Sequence, residues 1–180
     1  MDLKTFSNIT KVPEVSFDIS KGIDALFVEY LSTSYERIEA LDGNKVLFIE
    51  GGESHRLAPP TYQSLLEKWT ALEKALERGC AIKVEGLEIS KNLSNLKNIF
   101  GDTFDAHAFI SKKGSKSFPP HKDNVNVILY IVKGTKYIYT REGSERTILS
   151  TGECALIPKG CYHEVQNVSD NIAISFGVFL

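Results

Sequence analysis

The stretch Phe118-Pro119-Pro120-His121-Lys122-Asp123 places an imidazole and a carboxylate two positions apart. In an extended segment, side chains at i and i+2 share a face. His121 and Asp123 would then converge about 7 Å apart while Lys122 points away. Such a pair is two-thirds of a metal clamp. The chain has four histidines, His55, His107, His121 and His163, and the setting of His163 fits the missing ligand best. In Gly-Glu-Cys-Ala-Leu-Ile-Pro-Lys-Gly-Cys-Tyr-His (152–163), a turn, an apolar strand and a second turn deliver an imidazole to the start of a following strand. Two imidazoles and one carboxylate on one face make a facial triad. That set leaves three positions of an octahedral iron(II) open, as suits an enzyme that binds a cosubstrate and dioxygen together. A lone His-x-Asp is a weak signal, since strand histidines are often only hydrogen-bonded. Two motifs in this order, each at the edge of an expected strand, strengthen it.

Lys136 lies just past the turn Lys133-Gly134-Thr135 and opens a strand through Tyr137, Ile138 and Tyr139. If this ammonium projects inward it needs a carboxylate, because an unpaired buried charge is costly. A dicarboxylate cosubstrate would supply one. The competing reading is a surface lysine on an edge strand. Phe118, Tyr130 and Ser175 are candidates for the pocket lining, Ser175 by strand parity alone, although aromatic strand residues more often pack. His107 reads as a satisfied structural histidine in preference to a pocket residue, and Cys161 as a small buried hydrophobe. His55 falls in the polar run GGESHRLAPP, expected to be a loop near the entrance.

These residues must be positioned by a fold. The 180 residues suit one compact domain, with 42% hydrophobic and 24% charged residues and a formal charge of −2. That balance argues against a nucleic-acid-coating protein, and no nucleic-acid or membrane partner is expected. Three cysteines without a Cys-x-x-Cys spacing argue against a disulfide framework or structural zinc and for a reducing compartment. The N-terminus lacks the apolar core of a signal peptide, so the cytoplasm is the expected location. Before residue 80 helical signals dominate. Asp18 or Ser20 is placed to cap a helix over GIDALFVEYL, and Leu65, Trp69, Leu72 and Leu76 mark one face of a helix over 61–78 that stops at Arg78-Gly79. A hairpin is expected over 35–50, turning at Asp42-Gly43. After residue 80 come a strand over 80–84, a short helix and then eight short β-prone segments: 104–111, one ending at 123, 125–132, 136–140, 146–149, 154–157, 162–168 and 171–179. Their spacing predicts a mainly β protein built as an eight-stranded jelly roll, with N-terminal α-helices. The whole of 1–180 is expected to be one domain, 1–79 mostly helical and 80–180 the β core.

GSKSFPPHKD, VNVILYIVKGTKYIY and GECALIPKGCYHEV together resemble the JmjC and cupin-like double-stranded β-helix oxygenases, in particular the ribosomal oxygenases and the asparaginyl hydroxylases. The resemblance covers roughly 104–179. It implies iron(II) held by His121, Asp123 and His163, and 2-oxoglutarate chelating the iron with its far carboxylate on Lys136. The implied reaction is hydroxylation of a protein, a peptide or a peptide-like small molecule. The sequence departs from the family where Lys122 replaces a frequent aromatic and Phe118 a threonine found in some members. The chain stops just after the last core strand, so the helical and winged regions of the ribosomal oxygenases are not expected, and a ribosomal substrate is not implied. Oligomeric state is open, a homodimer included. Two further readings remain at this point: a cupin-type metalloenzyme that uses no 2-oxoglutarate, and a non-catalytic binding module of the same fold.

Overall fold

The computed structural model describes residues 8–22, 45–56, 70, 73–89, 93, 96–101, 103–140 and 146–179. In chain order these form β1 (Thr10–Lys11), α1 (Pro13–Gly22), β2 (Lys45–Glu50), β3 (Glu53–Arg56), β4 (Ala81–Glu85), a 3₁₀ turn (Leu87–Ile89) and α2 (Lys97–Phe100). The rest is β5 (Phe104–Ser111), β6 (Asn126–Lys133), β7 (Thr135–Thr140), β8 (Arg146–Ser150), β9 (Cys154–Ile157), β10 (His163–Asn167) and β11 (Asn171–Val178). Two antiparallel sheets face each other. The larger runs β1-β9-β6-β11-β5-β4-β2-β3 and the smaller β10-β7-β8. From β5 onward the chain passes back and forth between them, which is the winding of a jelly roll.

Strand periodicity explains the layering. On β5, β6 and β11 the even-numbered side chains (Ala106, Ala108, Ile128, Tyr130, Ile174 and Phe176 among them) form one apolar cluster with Val12, Val15, Ile19 and Leu96 behind the large sheet. The odd-numbered ones (Val127, Leu129, Ile131 and Ala173), with Ala155 and Ile157 of β9, pack against Ile138 and Leu149 of the small sheet. Buried on both faces, β6 reads as the near-continuous apolar run NVILYIVK. Towards one end of the inner face, odd positions of β5 and β11 are His107, Phe109, Ser175 and Gly177, and the apolar core gives way to a cavity.

Seven of the eight expected core strands form. The segment ending at Asp123 instead makes a single bridge, His121 opposite His163. Pro119 and Pro120 carry no N–H, so the ladder with β10 cannot extend back from His121 through them. With that bridge counted, each sheet supplies four of the eight jelly-roll positions.

Ahead of the core the outcome is mixed. The helix that forms is Pro13–Gly22, so Asp18 and Ser20 lie inside it, not at its cap, and residues 23–31 lie outside those described. Ser16 on α1 accepts the N–H of Cys154 at 2.9 Å and ties the helix to β9. The Asp42-Gly43 turn also lies outside the described residues. β2 instead turns back through Gly51-Gly52 into β3, so residues 45–56 are strands joined to the large sheet, in a region expected to be mostly helical. His55 sits on β3, stacked on Phe48 at 5.3 Å between centroids, and not in a loop. Of the helix expected over 61–78, Leu65, Trp69 and Leu72 lie outside the described residues, while its end is seen. Gly79 N–H donates to Leu76 O and Cys80 N–H to Ala75 O, both at 3.0 Å, with Gly79 at φ 87°, a Schellman cap. All three cysteines are free, as expected. Among the described residues no helix is long and apolar enough to cross a membrane.

Candidate metal centre

The bridge between His121 and His163 builds the site. Each N–H donates to the other residue's carbonyl at 2.9 Å. Residues paired in this way face each other across the ladder with side chains on the same side, and the two rings lie 4.5 Å apart between centroids. Asp123 follows two residues later. Its carbonyl accepts the Gly160 N–H at 2.9 Å, so the turn after β9 holds this backbone in place. The Asp123 carboxylate reaches both rings, with Oδ1 3.6 Å from His121 Nε2 and Oδ2 3.6 Å from His163 Nε2.

One ligand atom from each of the three residues can be chosen so that all lie within 4.8 Å of one another. Neighbouring donors on an octahedral ion with bonds of about 2.1 Å lie about 3 Å apart, so small rotations close the set around a cation. The tautomers also suit a metal. His121 Nδ1 sits 2.9 Å from Pro119 O and His163 Nδ1 3.1 Å from Cys161 O. A carbonyl can only accept, so both Nδ1 atoms carry the proton and both Nε2 lone pairs face Asp123. Second contacts of this kind fix the orientation of metal-binding histidines.

Without a cation between them the three groups perturb one another. Polar contact with Asp123 raises the His121 pKa against the pull of burial. Burial lowers that of His163. Burial also pushes the Asp123 carboxyl up, but the two imidazoles outweigh it and hold the group below its ordinary value.

Lys136 projects from β7 into the same cavity and is 2% exposed. Its Nζ lies 5.8 Å from the centre of the Phe109 ring. Among the described residues no carboxylate comes within ion-pairing distance of it, whereas Lys83 holds Glu85 at 2.7 Å. Burial alone draws the Lys136 pKa down to about 7.

The cavity has a volume of about 230 Å³, and Phe118 and Ser175 line it. Phe118 stands edge-on to His121 at 6.0 Å between centroids. Tyr130 does not line it, because its even position turns it to the opposite face of the large sheet, among Val132, Ile174 and Cys154. Lys83, Asp105, His107 and Phe109 do line it, although the sequence reading did not place them there. His107 is opposite Ser175 in the ladder, so the parity that put Ser175 inside applies to His107 and its i±2 neighbours as well. Its Nδ1 is buried with no hydrogen-bond partner among the described residues, and its Nε2 lies 3.8 Å from Asp105 Oδ1. Asp105 accepts the Gly177 N–H at 2.8 Å. A Cβ at position 177 would collide with that carboxylate, so glycine is what admits it.

A sequence profile for the cupin domain matches residues 108–179. This stretch is similar to a cupin domain and has its jelly-roll fold. Among solved structures, the chain is similar to YcfD, a ribosomal oxygenase from Escherichia coli, in complex with cobalt and 2-oxoglutarate. The TM-score is 0.59 at 16% identity, covering 82% of this chain and 44% of that one. The same protein in complex with cobalt and succinic acid gives a TM-score of 0.57 at 16% identity, over 88% and 44% of the two chains. At this identity the likeness is one of fold, and the chain spans less than half the length of that oxygenase. No curated protein matches the chain by sequence.

Proposed function

We propose that this cupin-like domain is an iron(II)- and 2-oxoglutarate-dependent hydroxylase acting on a protein, a peptide or a peptide-like small molecule. The observation that carries this reading is the buried ammonium of Lys136, which has no carboxylate partner among the described residues and shares a cavity with the His121–Asp123–His163 set. A metal-binding cupin with no diacid to hold has no use for such a group, because an isolated buried charge costs stability. The fold-level likeness to a protein captured with cobalt and 2-oxoglutarate supports the same reading. The three free cysteines fit a reducing compartment, the cytoplasm.

Iron(II) held by the triad would supply the activation of dioxygen and the oxidation of a C–H bond. The chain's own residues do the rest. His121, Asp123 and His163 gather on one side, which leaves the open side for cosubstrate and oxygen. The Nδ1–H bonds to Pro119 O and Cys161 O keep both rings oriented. Lys136 grips the far carboxylate of the diacid. Val127, Leu129, Ile157 and Val165 wall the cavity with hydrocarbon, and excluding water strengthens the ammonium–carboxylate attraction.

The test is anaerobic loading with iron(II), then conversion of 2-oxoglutarate to succinate in air, with Lys136→Ala alongside. The expected result is one bound iron per chain in both proteins, succinate from the parent, and a steeply raised 2-oxoglutarate requirement in the variant. Iron binding with no succinate would favour a cupin metalloenzyme of another reaction, and no iron binding a module without catalysis.

A further inference from the structure

A second opening adjoins the metal cavity. It has a volume of about 400 Å³ and lies between the outer edge of β10, the segment 114–119 and the Gly51-Gly52 turn. Ser117, Phe118 and Val165 line both spaces, so the two are adjacent and these three residues stand between them. Gly52 sits so close to Pro119 that a Cβ on it would lie 2.8 Å from the ring, and this contact closes one wall with backbone.

The backbone of β10 determines what this opening can hold. In an antiparallel ladder, alternate residues turn both polar backbone groups to the same side. The reciprocal bonds of His163 with His121 show that odd-numbered residues of β10 turn theirs outward, away from β7. His163 uses both groups on His121, and Asn167 uses its carbonyl on Gly114 N–H at 2.7 Å. Between them stands Val165. Its N–H and C=O face the opening, and neither has a partner among the described residues. The side chain of Asn167 holds Ser115 at 2.9 Å, which anchors one end of 114–119, and the His121 bridge anchors the other. The segment therefore bows away from Val165, and Pro119 and Pro120 have no N–H with which to close the gap.

We propose that Val165 is a backbone clamp for a peptide substrate: an internal peptide residue exchanges both its N–H and its C=O with those of Val165, and a neighbouring peptide residue enters the metal cavity past Phe118. The proposal rests on the hydroxylase reading and narrows its substrate to a peptide or protein segment. Spacing supports it, since Val165 is two positions from His163 along the strand, about 7 Å, which is within side-chain reach of the cation. Backbone pairing is the sequence-tolerant part of peptide recognition by an open strand edge, and the flanking walls supply selectivity.

Amide exchange read by NMR tests the clamp without relying on turnover. In the free protein the Val165 amide should exchange much faster than those of Glu164 and Gln166, which pair with β7. A pool of short acetylated peptide amides of random sequence should slow Val165 exchange and shift the Gly52 and Phe118 amides. A pool of acetylated single amino-acid amides at the same residue concentration should do so far less. Val165→Pro removes only an N–H that the fold does not use, as an edge strand tolerates. It should fold and bind the peptide pool about tenfold more weakly, whereas Val165→Ala should bind normally. Should the proline variant fail to fold, backbone N-methylated peptides against the parent protein replace it, and they should not protect Val165. A Val165 amide already protected in the free protein, equal protection by single amino-acid amides, or full binding by the proline variant or the N-methylated pool would each overturn the clamp. Absence of succinate from the iron-loaded parent would overturn the hydroxylase reading instead and leave the exchange result to be judged separately.

Discussion

Ser175 and Phe176 are neighbours on β11, yet they belong to two different environments. Phe176 is fully buried behind the large sheet, with its ring 5.0 Å from that of Phe100 and 6.2 Å from that of Phe104. Ser175 faces the other way, into the cavity that holds the triad and Lys136. The same alternation sets Tyr130 against Leu129 on β6 and Ala106 against His107 on β5. One face of the sheet carries stability and the other carries poorly satisfied polar groups, such as Lys136 beneath it and His107 Nδ1, neither of which has a partner among the described residues. A rigid, apolar back allows the front to hold groups that the fold alone would not select.

Replacing residues on the two faces should separate these roles. The largest effect is expected at the triad. His121→Ala, Asp123→Ala or His163→Ala should lower turnover by more than the roughly 10–100-fold typical of losing a supporting partner of a metal ligand, with iron content falling in parallel. Thermal unfolding should change little at the half-exposed His121. A variant that kept both iron and turnover would remove that residue from the ligand set. On the opposite face, Phe176→Ala should cost about 3–5 kcal/mol, enough to lower Tm by roughly 10 °C. Ser175→Ala, one residue away, should leave Tm within a degree or two, since a polar side chain facing the cavity adds little packing. Equal losses of stability at the two positions would mean that the faces are not divided as described.

Lys136 is where the two demands conflict. Its pKa of about 7 lies below the ordinary lysine value of 10.5, because burial disfavours the charge. Across that window the unfolded chain binds a proton that the folded one lacks, so stability rises with pH from about 7 to 10.5 and the full penalty applies below 7. Lys136→Met should therefore stabilise the protein in the absence of a diacid, by about 1–4 kcal/mol, and abolish the rise. The same substitution should weaken 2-oxoglutarate binding by roughly 10–100-fold, the value of a charge-assisted contact. A bound carboxylate favours the protonated lysine, so 2-oxoglutarate affinity should fall about tenfold per pH unit above about 7. Lys136→Arg keeps its charge throughout and should flatten that dependence. Titration calorimetry with the iron-loaded protein measures both. A pH-independent affinity in the parent would place the lysine outside the cosubstrate site.

How much of this was legible in the sequence follows from how local each signal is. β9 is bounded on both sides by turn residues, and its limits match the sequence reading at both ends. The convergence of His121, Asp123 and His163 was legible because two short motifs each carry their own turn chemistry. The strand before Asp123 was not, because alternation predicts it while two prolines veto its pairing. β3 was missed because Glu53, Ser54 and His55 look like a loop, although Gly51-Gly52 is itself a hairpin signal. Tyr130 was expected in the pocket and His107 was read as structural in preference to a pocket residue, since β6 is buried on both sides and offers no alternation to read, and His107 is a polar residue on an inner face. In both cases the register with β11 decides, and pairing register is a long-range property.

A small gain in stability is expected at His107. Its Nδ1 is buried without a partner among the described residues, a condition that costs about 1–3 kcal/mol in a folded protein. Burial, with the positive charge of Lys83 adding to it, lowers its pKa and favours the neutral ring despite the nearby Asp105. His107→Leu removes the orphaned nitrogen at similar volume and should raise stability by about 1 kcal/mol, a Tm gain of about 2–4 °C. If the ring serves a substrate at the inner face, the same variant loses turnover of its best substrate while succinate formation in the absence of substrate persists. If it is only a remnant of packing, both rates stay level and the gain in Tm stands alone. A fall in Tm would show that Nδ1 is satisfied in solution, by water held in the cavity, and His107 would then belong with the structural side of the sheet.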